Sequence, residues 1–141
     1  MTTRLDRDDL GFLLAKAAQR WNEALAHGFT EAGYADVLPS FGSVLLPLYE
    51  EDGLQIGELG RRSGMSKQTM TALVRRVESA GMIERRGDPA DGRATLIFLT
   101  DRAREFAPVA TAVLRDIDTT VRARLTASQL ADLRESLRRL L

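Results

Sequence analysis

The sequence predicts a mainly α fold with a two-stranded β wing: a winged helix-turn-helix carrying dimerisation helices at its N- and C-terminal ends. Three observations predict it. Two short amphipathic patterns meet across the turn Ser63-Gly64-Met65-Ser66, the grammar of a helix-turn-helix. Two β-branched runs follow, joined by a dense turn signal. On either side lie longer stretches with apolar residues at helical spacing.

The first helix is expected over residues 8–33. Leu10, Leu14, Ala17, Trp21, Leu25 and Phe29 fall on one stripe, three or four residues apart. Asp6, Asp8 and Asp9 suit a helix N-terminus, and Gly33 suits its end. A second helix is expected from Pro39 to about Glu51, with a kink at Pro47, because an internal proline removes a hydrogen bond and crowds the previous turn. Ile56 to Ser63 forms a third helix, with Ile56 and Leu59 inward. Gly64 breaks it. Ser66 caps a fourth helix whose apolar face is Met70, Leu73, Val74 and Val77, and Gly81 stops it.

Ile83 to Arg86 and Ala94 to Leu99 are strand-like, and the seven residues 87–93 between them form the expected wing tip. Thr100 caps a helix running to about residue 125, with Pro108 in its second turn. Thr126 and Gln129 form a capping box. Leu130, Leu133, Leu137 and Leu140 make a seam on the last helix. The reading divides the chain into a helical dimerisation region, 1–35 and 101–141, and a DNA-binding region, 36–100, intertwined as one domain. The three apolar faces of the end helices predict a homodimer.

Composition removes several function classes. There is no cysteine and a single histidine, His27, so neither disulfides nor the usual zinc ligand sets can be assembled. No phosphate-binding GxxxxGK[ST] run occurs. Glu50, Glu51 and Asp52 are consecutive and point in different directions, so they make no paired-carboxylate site. The reading is of a protein that is not an enzyme and needs no cofactor or metal. The residues from Met1 to Asp9 lack the apolar core of a signal peptide, and runs such as Val44 to Leu48 are too short to span a bilayer. A cytoplasmic protein without a membrane partner is expected.

The net charge is zero, but it is unevenly placed. Residues 1–60 hold 4 Lys/Arg against 10 Asp/Glu, and residues 61–104 hold 10 against 5. A basic middle beside an acidic front suits a segment that meets phosphate. The polar face of the fourth helix carries Gln68, Thr71, Ala72, Arg75 and Ser79, flanked by Lys67, Thr69 and Arg76. Arg can bond guanine bidentately, Gln can pair with adenine, and Thr or Ala can touch a thymine methyl. Lys67 and the amides at the helix start suit phosphate. In the wing, Arg93 suits a minor groove, and Asp91 is placed to hold a nearby arginine and fix the tip.

The runs Gly57 to Val74 and Glu78 to Arg85, then Asp88-Pro89-Ala90-Asp91-Gly92-Arg93 ahead of Leu99-Thr100, resemble the MarR family of bacterial transcription regulators. The likeness extends over the whole chain in element order. It implies a triangular homodimer whose first and last two helices interlock, bound to pseudo-palindromic operators in double-stranded DNA. Ser66 to Arg76 would enter the major groove and Arg93 the minor groove. It also implies a repressor released by a small aromatic or anionic effector, in a crevice between the dimer arms and the winged helix. Arg20, Trp21, His27, Tyr34 and Tyr49 fall where that crevice is expected. The absence of cysteine excludes a thiol-based peroxide sensor. The alternative function for such a fold is a protein-interaction module without DNA binding, which leaves the basic middle segment unexplained.

Overall fold

The computed structural model describes residues 6–141; the leader reading at residues 1–5 lies outside them. Helix α1 spans Leu10–Glu31 and is capped by Asp9, whose carboxylate accepts from the amides of Gly11 and Phe12. The expected second helix is split. A 3-10 turn at Pro39–Phe41 precedes α2, Gly42–Glu50. Then come α3 (Ile56–Ser63), α4 (Lys67–Ser79), β1 (Ile83–Asp88), β2 (Asp91–Leu99), α5 (Asp101–Arg122) and α6 (Ala127–Leu140). The capping box of Thr126 and Gln129 is formed.

Helix α2 continues through Pro47 rather than ending there. Proline lacks the N–H that would reach back four residues to the Ser43 carbonyl. A different donor fills the gap: the Ser63 hydroxyl, at the last residue of α3, donates to Ser43 O at 2.5 Å. The proline is thereby accommodated by tertiary packing.

The wing corrects the sequence reading. Its tip is not a seven-residue loop. The strands pair from Ile83↔Leu99 to Gly87↔Thr95, then shift register so that Asp88 faces Asp91, leaving Pro89 and Ala90 as the turn. The extra residues 92–94 of β2 form an irregularity in the ladder. Both aspartates brace the turn through backbone amides: Asp88 accepts from Ala90 N at 2.8 Å and Asp91 from Arg93 N at 3.0 Å. Leu54 adds a bridge to Ile97 on the other edge of β2.

The fully buried side chains Val44, Leu48, Leu59, Met70, Val74, Val77, Met82 and Ile97 sit among α2, α3, α4 and the wing. Phe29 and Phe106 extend this core to the inner ends of α1 and α5, their rings meeting edge to face at 4.9 Å. Beyond Phe106 only Leu130 is buried. The outer lengths of α1, α5 and α6 therefore display their apolar stripes: Trp21 is 41% exposed, Leu133 45% and Leu140 61%. A globular core normally absorbs such side chains. No helix among the described residues is long and apolar enough to cross a membrane.

Candidate nucleic-acid interface

The turn between α3 and α4 is set by local chemistry. Gly64 takes a left-handed conformation, φ 65°, which a glycine adopts without a Cβ clash. It lets Met65 N close back onto Gly60 O at 2.9 Å. Ser66 then caps α4, its Oγ accepting from Thr69 N at 3.2 Å and donating to Thr69 Oγ1 at 2.9 Å. With its oxygen engaged as an acceptor, Thr69 keeps its own O–H for an outside acceptor. Thr71 does the reverse. Its hydroxyl donates to Lys67 O at 2.7 Å, leaving its methyl group and lone pairs outward.

Burial of Met70, Leu73, Val74 and Val77 fixes which face of α4 is left over. Lys67, Gln68, Thr71, Ala72 and Arg75 line one shallow depression on that face. Arg76 lies round the helix, beside Asp36, Leu38 and Ser79. Among the described residues Lys67, Arg75, Arg76 and Arg93 form no ion pair, whereas the other arginines near them do. Arg85 is held by Glu78 at 3.1 Å, tying β1 to α4. Arg86 is paired with Glu84 and stacks over the Phe98 ring at 4.4 Å. Arg61 and Arg62 share Glu58, and Arg62 also reaches Glu51. The basic middle of the sequence thus separates into arginines occupied by the fold and cations left open on α4 and the wing.

Asp91 positions the wing differently from the expectation. Its carboxylate takes the Arg93 backbone N–H and no guanidinium, because the amide two residues on is within reach while Arg85 and Arg86 are already neutralised. It fixes the peptide that carries Arg93 and leaves the Arg93 side chain exposed and unpaired.

The five residues expected round an effector crevice are not brought together. Arg20 and Trp21 line an apolar cavity of about 800 Å³ between α1, α5 and α6, with Ile117, Val121, Leu130 and Leu133. Tyr34 packs on Phe106, 5.0 Å between ring centroids. Tyr49 donates its hydroxyl to the Ala103 carbonyl, joining α2 to α5, and burial pushes its pKa up to about 12. His27 is exposed on α1. Both rings pack against the edge of the core, and the Tyr49 hydroxyl finds a partner there.

Sequence reasoning missed the long-range polar ties. Asp36 and Arg102 form a bidentate pair at 2.8 and 2.9 Å across 66 residues, and Asp52 accepts from Leu99 N at 2.9 Å. No local pattern announces either. The Ser63 contact had a signal, for an internal proline always leaves one carbonyl in search of a donor.

A family model described as MarR family matches residues 42–94, from α2 through the wing. The HTH-type transcriptional repressor Rv2887 of Mycobacterium tuberculosis is 32% identical over 135 residues, 96% of this chain and 95% of that protein. The chain belongs to the MarR family. This MarR-family transcriptional regulator is also similar to a solved probable transcriptional regulator from Pseudomonas aeruginosa, at 31% identity and TM-score 0.82, over 95% of this chain and 98% of that one. A structure of Rv2887 in complex with salicylic acid is similar at 30% identity and TM-score 0.65, covering 96% and 100% of the two chains. A mutant E. coli MarR complexed with operator DNA shares the fold at TM-score 0.82 and 22% identity, over 95% and 94%.

Proposed function

We propose that this MarR-family regulator is a homodimeric, cytoplasmic repressor, without enzymatic activity, that reads pseudo-palindromic operators in double-stranded DNA. The observation that carries the reading is the face of α4. Lys67, Gln68, Thr71, Ala72 and Arg75 share one exposed surface in which no cation is spent on an internal acid, beside a wing whose Arg93 is equally open. In a helix-turn-helix the second helix enters the major groove, where these side-chain types recognise base edges. Ser66 and Thr69 at its start, and Arg76 round its side, suit phosphate, and Arg93, steadied by Asp91, suits the minor groove.

In this reading 36–100 binds DNA, and 1–35 with 101–141 dimerises through the apolar stripes that one copy leaves exposed. A MarR mutant of the same fold in complex with operator DNA supports the DNA-binding part of this reading. The effector class we propose is a small aromatic anion, supported by the salicylic acid complex of Rv2887. The residues offered for it are Arg20, Trp21, His27, Tyr34 and Tyr49; Arg20 and Trp21 line the apolar cavity between α1, α5 and α6, and Tyr34 and Tyr49 lie at the entry of α5, against Phe106 and Ala103.

The test is a gel shift with DNA upstream of the protein's own gene, over a range of salt. Binding that saturates at nanomolar protein and weakens steeply with salt is expected, as counterions are released from each neutralised phosphate. Absence of any shift, or binding indifferent to salt, would overturn the proposal.

A further inference from the structure

We infer that Arg102 is a positioning residue that sets the angle of the recognition helix relative to the dimerisation helices, and so the operator half-site spacing the protein accepts. The inference rests on the DNA-binding reading above.

Arg102 stands in the first turn of α5, yet its guanidinium faces three other segments. Its two terminal nitrogens donate to both oxygens of Asp36, at 2.9 and 2.8 Å. Asp36 lies just beyond the end of α1. The nitrogen Nη1 also donates to the carbonyl of Ala80, the residue that caps α4 at its C-terminus. The guanidinium carbon lies 5.2 Å from the centre of the Tyr34 ring, within cation–π range, and Met82 Sδ is 3.8 Å from Nη1. Thr100, one residue before α5, adds a second fastening: its hydroxyl donates to Gly81 O at 2.6 Å and its amide to Met82 O at 3.1 Å.

The exits of α1 and α4 and the entry of α5 thus meet at one side chain. Chemistry favours arginine here. A planar fork can hold a carboxylate with two bonds and still direct an N–H at a carbonyl, which a lysine ammonium cannot reproduce. A cation at the end of α4 also complements the negative end of the helix dipole. Geometry gives the junction leverage. Helix α5, 22 residues from Asp101 to Arg122, runs about 33 Å at 1.5 Å per residue from this junction to the cavity between α1, α5 and α6. A small rotation at the junction therefore changes the distance between two α4 helices held on opposite arms of a dimer, and dimeric helix-turn-helix proteins read half-site separation as that distance.

Arg102 does not lie on the open face of α4, so its loss should change which operators are accepted more than how phosphate is gripped. The experiment measures binding by fluorescence anisotropy to the operator found by gel shift, to the same operator with its spacer one base pair longer or shorter, and to unrelated DNA of equal length. The proteins are wild type, Arg102→Ala, Arg102→Lys, Asp36→Asn and the Arg102→Ala/Asp36→Asn double variant. Thr126→Ala, which removes the N-cap of α6 outside the winged helix, controls for lost stability. Operator affinity should fall about tenfold in Arg102→Ala, within the ordinary range of coupling between sites. Preference among spacers should flatten, while binding to unrelated DNA stays within about twofold. The double variant should be no worse than the worse single, and Arg102→Lys should not restore the preference. Thr126→Ala should keep it. If Arg102→Ala does not fold, the same readout on Asp36→Asn decides. Retained spacer preference in variants that fold, or an equal loss on all DNA, overturns the inference. A wild-type protein that binds none of the DNA overturns the DNA-binding reading itself.

Discussion

The Ser63 hydroxyl donates to the Ser43 carbonyl at 2.5 Å, standing in for the N–H that Pro47 lacks. Both serines are half-buried, so water is a poor substitute for the lost donor. Ser63→Ala should cost about 1–3 kcal/mol of stability, the penalty for leaving a buried acceptor unmet. Adding Pro47→Ala returns an N–H to α2, and the two changes together should cost less than the sum of their separate effects. Urea denaturation of the four proteins measures the coupling. Strict additivity would show that the contact does not compensate for the proline.

Helices α1 and α5 cross at Gly28 and Val113. A Cβ built on Gly28 would lie 2.6 Å from Val113 Cγ1, inside any allowed contact. Gly28→Ala should destabilise by about 1–3 kcal/mol through overpacking, since neither helix can yield without moving the Phe29–Phe106 contact. Trimming Val113 to Ala in the same chain should recover part of the loss in thermal melts. A neutral Gly28→Ala would mean that the helices separate freely at this point.

Acid stability should carry the signature of Glu58. Hydrogen bonds from Arg61, then Arg62, hold its carboxyl at about 2, below the ordinary 4.5. A depressed carboxylate favours the folded state above the unfolded pKa and loses that effect as pH falls through the folded one. Wild type should therefore exceed Glu58→Gln at pH 6 and converge on it between pH 5 and 2. The pair is exposed, so the difference will be small and should shrink further in salt. Denaturant midpoints along that pH series provide the check; a gap that widens on acidification contradicts the assignment.

On the DNA face, Arg75→Ala should lose about 1–3 kcal/mol of operator affinity and relax preference at one base pair, whereas Lys67→Ala should weaken all sequences alike. Arg93→Ala should matter most where the flanking minor groove is narrow. Arg85→Ala offers the contrast: its partner is Glu78, so it should lower stability before it lowers affinity. Anisotropy titrations on operators changed at single positions separate these outcomes. Full affinity in the combined Lys67, Arg75 and Arg93 alanine variant would remove the face from the interface.

The exposed leucines of α6 make the last prediction. Light scattering should give twice the 15.6 kDa of one chain, and Leu133→Glu with Leu137→Glu should reduce it towards one, because buried charges without partners oppose association. An unchanged mass in that variant would place the dimer contact elsewhere.

The helix-turn-helix was legible because its signals are local. Gly64 and Ser66 act within one turn of where they stand, and Met70, Val74 and Val77 repeat at helical spacing. The wing tip was not, because Gly87, Gly92 and Asp91 suggest a loop while strand pairing from Ile83 to Gly87 carries the ladder further out. For DNA contact the sequence offered the fourth helix but could not separate open arginines from occupied ones. Arg85 is claimed by an acid seven residues away and Arg102 by one 66 residues away, and only folding reveals such partners. The packing partners of the aromatic residues were hidden for the same reason. Tyr34 and Tyr49 have the composition of a pocket wall, and folding also sets them against the ring of Phe106 and the carbonyl of Ala103.

The confinement of the core to the stretch between Phe29 and Phe106, with Leu130 the sole outlier, gives the molecule two tiers of durability. Backbone amides in 44–99 are protected by contacts within one chain, and their hydrogen exchange should be indifferent to dilution. Amides in 10–24 and 114–141 depend on a cover that one chain does not supply, and their exchange should quicken as protein is diluted, since association stabilises only by mass action. Protease should accordingly trim a dilute sample from both ends and stop at a winged core that is still folded. In a cell holding few copies, the amount of repressor would then be governed by how fast newly made chains meet.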